Sequence, residues 1–126
     1  MSLRFFNLDL MRNMSEFIPE SSPLFSHEVL LDQLIECGRL FHSRGWSVGT
    51  SSNYSAVLNN DPAELIVTAS GKDKGQLGRL DFVRIGANGI PIEPDQPKSS
   101  AETMLHVALA EQNDIGSILH THSVWG

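Results

Sequence analysis

The chain has one cysteine, Cys37, among its 126 residues, so no internal disulfide can hold it together and a reducing compartment, the cytoplasm, is the expected location. It is also short of basic residues, with 9 Lys and Arg against 15 Asp and Glu for a formal charge of -6. Affinity for a nucleic-acid backbone comes largely from clustered cations that neutralise phosphates, and the absence of such a cluster argues against a nucleic-acid partner. Nor is there a run of the roughly 18 to 20 apolar residues that a spanning helix needs, so a soluble protein with no membrane partner is expected. Asn7, Asp9 and Arg12 interrupt residues 1–14 before any apolar stretch reaches signal-peptide length, and no small-residue cleavage site follows. What is present, 40% hydrophobic and 19% charged residues, suffices for one folded domain.

Residues 1–25 read as an N-terminal arm, because 15–23 carries two prolines and three serines and has the character of a connector. The domain follows from residue 26. Ser26 suits an N-cap, Glu28 suits the positive end of a helix, and Val29, Leu30, Leu34, Cys37 and Phe41 recur at helical spacing until Gly45, which predicts a helix over 27–44. A loop of glycine and hydroxyl residues, 45–55, then feeds a strand at 56–58. After a turn at Asn59-Asn60-Asp61-Pro62 a second strand covers 65–68, and 69–75 is another polar loop. A third strand at 82–85 precedes a hairpin-like turn at Ala87-Asn88-Gly89. A second helix is expected over 100–112 and a last strand over 117–122. Helix, three strands, helix and strand make an α/β pattern.

The sharpest chemical signal is His120-Thr121-His122. Residues two apart on a strand share a face, so the two imidazoles can converge on one ion, and zinc is the metal this pair suits. A catalytic zinc takes about three protein ligands and keeps one position open, so at least one more is required. His27, His42 and His106 are candidates, and the spacing selects none of them. The competing structural account is a pair of histidines at a polar strand end. Glu102 places a carboxylate at the start of a helix, where a general acid or base could sit. Ser99-x-x-Glu102 equally matches a capping box, and spacing alone favours the cap. The loops at 49–55 and 70–75 combine backbone donors with hydroxyls, and Lys72 and Lys74 add charge; this is the composition of a phosphate cradle, although turn chemistry explains the same residues.

Taken in order, Gly49-Thr50-Ser51-Ser52-Asn53-Tyr54-Ser55, Thr68-Ala69-Ser70-Gly71-Lys72-Asp73-Lys74-Gly75, Lys98-Ser99-Ser100-Ala101-Glu102-Thr103 and His120-Thr121-His122-Ser123 resemble the class II aldolase/adducin family over residues 27–126. Within it, the Ser-Gly-Lys-Asp-Lys-Gly block resembles the branch of methylthioribulose-1-phosphate dehydratases. The resemblance implies an α/β sandwich around a central, mainly antiparallel sheet flanked by helices. It also implies a zinc ion, a sugar-phosphate substrate and a ring-like homotetramer with sites near subunit interfaces.

The same resemblance carries roles onto residues. Asn53, Ser70, Gly71 and Ser100 fall where the family holds substrate phosphate, and His120 and His122 fall on two of its three zinc ligands. Glu102 falls on the acid/base carboxylate of the aldolases, a position that varies among the dehydratases. Ser52 stands where many relatives have glycine. Family domains continue past the His-Thr-His strand with a third zinc histidine and the dehydratase glutamate, whereas this chain stops at Gly126, so a C-terminally truncated and inactive form is the expectation for 26–126. Two other functions fit the pattern: a zinc aldolase or epimerase of another sugar phosphate, and a non-catalytic, adducin-like interaction protein.

Overall fold

The computed structural model describes residues 16–112 and 114–122 and runs α1 (Glu28–Ser43), β1 (Asn53–Asn60), β2 (Ala63–Thr68), β3 (Phe82–Ile85), α2 (Thr103–Ala110) and β4 (Ser117–His120). All strand pairs are antiparallel, in the order β3-β2-β1-β4. The mixed α/β architecture agrees with the pattern read from the sequence, and the antiparallel sheet with what the family resemblance implies. Among the described residues no helix is long and apolar enough to cross a membrane.

The sheet is covered on both faces, which explains the unbroken apolar run Leu65-Ile66-Val67 in β2. Residues paired across the ladder share a face. Val57, Leu65 and Ile85 line up on one side, and Ala56, Ile66 and Arg84 on the other. Leu65, Val67, Val83 and Ile85 pack with Val107 and Ala110 of α2. Tyr54, Ala56, Ile66 and Phe82 pack with Leu31, Leu34 and Ile35 of α1. Within the segment read as an arm, Ile18 and Leu24 are buried in this second cluster; residues 1–15 lie outside the described residues. Arg79 locks α1 to the loop before β3 through a two-pronged bond to Asp32, at 2.8 and 2.7 Å. Asn60 Nδ2 donates to the carbonyl oxygens of Ala110 and Ile115, at 2.8 and 3.0 Å, so the end of β1 fixes the end of α2.

Several boundaries differ from the sequence reading. Helix α1 matches the expected span closely, but its N-cap is His27 with no side-chain cap bond, while Ser26 sits at φ +74. Strand β1 starts at Asn53, three residues before the expected strand, because β4 supplies pairing partners for Asn53, Tyr54 and Ser55. Helix α2 is shorter than 100–112, and the capping box does not form. Glu102 is itself the N-cap and makes no side-chain cap bond. Strand β4 ends at His120, so His122 lies past it and not on its face. The turn before Pro91 does form, with Gly89 at φ +73 and Asn88 Oδ1 accepting the Ile90 N–H.

Candidate metal centre

The site grows from the α2-facing side of the sheet, where Asn53 of β1 stands opposite His120 of β4. Asn53 Oδ1 lies 3.1 Å from His120 Nδ1. The residue that starts α2 brings a carboxylate to the same ring, and Glu102 Oε2 contacts His120 Nδ1. Just beyond β4, the His122 N–H donates to the Trp46 carbonyl at 2.8 Å. That bond returns the chain toward the sheet and leaves the His120 and His122 rings 4.9 Å apart, centroid to centroid. One ligand atom each from Glu102, His120 and His122 lie within 4.8 Å of one another. Two imidazole nitrogens and one carboxylate oxygen form a donor set that catalytic zinc sites use, so these residues form a possible metal-binding group.

Of the four residues expected at phosphate, Asn53 and Ser100 are hydrogen-bonded to this group. Asn53 Nδ2 donates to Ser100 Oγ, and Ser100 Oγ also accepts the Glu102 N–H at 3.3 Å. With its lone pairs so engaged, the Ser100 hydroxyl has its own hydrogen to offer an anion. The Ser70 N–H is used on the Lys98 carbonyl at 2.9 Å, and Ala69 pairs with Ser99, so the loop leaving β2 is stitched to the segment before α2. Gly71 follows at φ +74 and is exposed. Ser52 adopts φ +76, the region that favours glycine, at a cost of about 1–2 kcal/mol. Its hydroxyl accepts a bond from Ser47 at 2.9 Å.

Of the three histidines weighed as further ligands, the structure brings only His106 near the group. It is fully buried on α2, one turn after Glu102, and its Nδ1 lies 2.7 Å from Ser55 Oγ. Its Nε2 has no partner among the described residues. The Glu102-x-x-x-His106 spacing, one helical turn, is the signal that could have found it. Burial, and secondarily the neighbouring His120, push its pKa down to about 4, against a smaller opposing pull from Glu102. A histidine neutral when folded and protonated when unfolded makes stability rise with pH between those two pKa values. The contribution is complete above 6.5 and disappears as pH falls toward 4, a span of about 3 kcal/mol. Urea unfolding of the metal-free protein is expected to show a lower midpoint at pH 5 than at pH 7, with a flatter dependence in His106→Gln. An identical slope in both proteins would rule out this histidine as the cause.

Residues 32–126 match the Class II Aldolase and Adducin N-terminal domain. The chain belongs to that family. It is 51% identical over 96 residues to a methylthioribulose-1-phosphate dehydratase of Azotobacter vinelandii, covering 75% of this chain and 45% of that protein. It is 47% identical over 100 residues to the dehydratase of Pseudomonas fluorescens, covering 79% of this chain and 47% of the relative. The chain thus spans about half the length of the curated relatives it matches. Among solved structures it resembles YgbL of Klebsiella pneumoniae, with a TM-score of 0.69 and 26% identity over 80% of this chain and 47% of that one. The class II aldolase fold expected from the four motif blocks is therefore the fold this chain has.

Proposed function

We propose that this chain is the N-terminal portion of a zinc-dependent methylthioribulose-1-phosphate dehydratase, a carbon–oxygen lyase of methionine salvage that removes water from 5-methylthioribulose 1-phosphate. The observation that carries this reading is the half-identity to relatives bearing that name, and the convergence of Glu102, His120 and His122 supports it. Zinc held by these three residues would supply Lewis acidity toward the carbonyl and hydroxyl oxygens of the sugar. The protein's own residues supply orientation. With its proton on Nδ1, His120 donates to Asn53 Oδ1 and keeps the ring's Nε2 lone pair for a ligand role, while Asn53 Nδ2 holds Ser100 in place. Ser100, Ser70 and Gly71 present donors to the phosphate. The family resemblance further supports a homotetramer and a cytoplasmic location.

A second reading, aldolase or epimerase action on another sugar phosphate, is favoured by the Glu102 carboxylate beside His120, where it could move a proton. The two separate in one assay. This chain is joined to the downstream half of the Azotobacter relative, loaded with zinc and given 5-methylthioribulose 1-phosphate. Formation of the 2,3-diketo-5-methylthiopentyl 1-phosphate supports the dehydratase. Carbon–carbon cleavage or epimerisation with retention of water supports the second reading. No turnover of any sugar phosphate would leave a non-catalytic, adducin-like role.

The phosphate assignment has its own expected result. At a concentration about a hundredfold above its dissociation constant, the phosphorylated sugar should stabilise the protein by about 2.7 kcal/mol. The dephosphorylated sugar at the same concentration should raise the thermal midpoint far less. Equal protection by both would remove phosphate recognition from Asn53, Ser70, Gly71 and Ser100.

A further inference from the structure

Lys74 is 2% exposed, although lysine is among the residues least often buried. A buried ammonium is normally matched by a carboxylate, and among the described residues none lies at ion-pair distance from it. Its Nζ instead donates to two backbone carbonyls, Thr50 at 3.1 Å and Lys72 at 2.6 Å. These carbonyls belong to different loops. Thr50 lies in the segment that enters Asn53 through Ser52, whereas Lys72 directly follows Ser70 and Gly71. The backbone beneath is fixed as well. Helix α1 passes over the Lys74 carbonyl at Gly38, and Gly75 packs against the His42 ring. Asp73, the nearest acidic neighbour in sequence, spends Oδ1 on the Gly75 N–H at 2.8 Å. Burial lowers the pKa of the Lys74 amine, against a smaller opposing pull from the Asp73 carboxylate.

We infer that Lys74 is a positioning residue for the substrate's phosphate: its buried ammonium clamps the loop leading to Asn53 onto the loop carrying Ser70 and Gly71. This rests on the phosphate-binding reading given above. Lys72 provides the contrast, being half-exposed and already paired with Asp81 at 3.4 Å.

The test uses inorganic phosphate as the probe and the intact protein, and it reads the phosphate-dependent rise in thermal midpoint rather than the midpoint itself. Losing the charge-assisted bonds that join the two loops leaves the donors of the cradle unfixed, so Lys74→Met is expected to shift the titration to phosphate concentrations about tenfold higher or more. Arg39→Met, which removes a cation of α1 outside both loops, should leave it in place. Lys74→Gln retains an amide donor without the charge and covers the case in which the methionine variant does not fold; the same tenfold shift is expected of it. In turnover of the phosphorylated sugar by the chain joined to the downstream half of the Azotobacter relative, the loss should fall on KM while kcat changes little, a split that a general loss of stability does not produce. A titration left in place in the folded Lys74→Met or Lys74→Gln protein would overturn the role of Lys74 and spare the anion site. No phosphate response in the unaltered protein would remove the site and this inference together.

Discussion

Alanine at His120 or at His122 is expected to strip the centre of its metal and to abolish turnover that depends on it. Losing an outer partner of a zinc ligand already costs about 10- to 100-fold in affinity, so losing a ligand should cost at least about a hundredfold. Neither change should unfold the protein. Residue 120 contributes its backbone to the β1–β4 ladder whatever its side chain, and residue 122 is held through its own N–H on Trp46. The two variants therefore test ligation rather than folding. Zinc content after dialysis, followed by competition with a chelator of known affinity, gives the number. Unchanged zinc in both would sink the assignment of this pair. Glu102→Gln extends the test, because a carboxamide keeps the shape but weakens both metal ligation and the contact with His120. Zinc lost as in the histidine variants identifies a ligand. Zinc retained with activity gone identifies a proton-transfer group.

Much of the scaffold was legible because it depends on local pattern. The apolar spacing in 27–44 yields α1 within a residue at each end, and the run Leu65-Ile66-Val67 marks a strand, whose burial on both faces comes from the structure. What could not be read depends on partners distant in sequence. Asn53, Tyr54 and Ser55 look like loop residues until β4 arrives beside them, with His120 opposite Asn53. The Ser99-x-x-Glu102 spacing is shared by a capping box and by a carboxylate turned toward a metal site. Only the position of His120, supplied by β4, separates the two. The convergence of His120 and His122 was expected from strand alternation. In the structure it comes instead from the His122 N–H bond to Trp46 just past the strand end. Lys74 reads as one of two charges in a polar loop fit to cradle phosphate, and its burial, which the sequence does not show, arises because that loop folds under α1.

Gly38→Ala is expected to destabilise the protein by about 3 kcal/mol, the upper part of the usual cost of overpacking, although helix propensity alone gives the opposite sign. In an isolated helix the same change would stabilise by up to about 1 kcal/mol, since glycine is a poor helix former. Gly38 lies within α1 and is buried. A methyl group there would collide with the Lys74 carbonyl oxygen and come within 3.1 Å of Leu77 Cδ1 and 3.3 Å of Tyr54 Cε2. The carbonyl cannot easily retreat. Gly75 beyond it rests on the His42 ring, and the Lys74 side chain is tied to Thr50 and Lys72. Helix α1 or the 70–75 loop must move, and either movement opens the contact between helix and sheet. The thermal midpoint should fall by on the order of 10 °C. Gly45→Ala is the matched comparison: its φ of +74 imposes strain, but no atom lies within 4 Å of an added Cβ, so about 1 kcal/mol is expected. Because the displaced loop carries Ser70 and Gly71, Gly38→Ala should also weaken the phosphate response, which Gly45→Ala should leave intact. A gain in stability from Gly38→Ala would mean that α1 does not pass over Lys74, and that the loop proposed to receive phosphate is held in some other way.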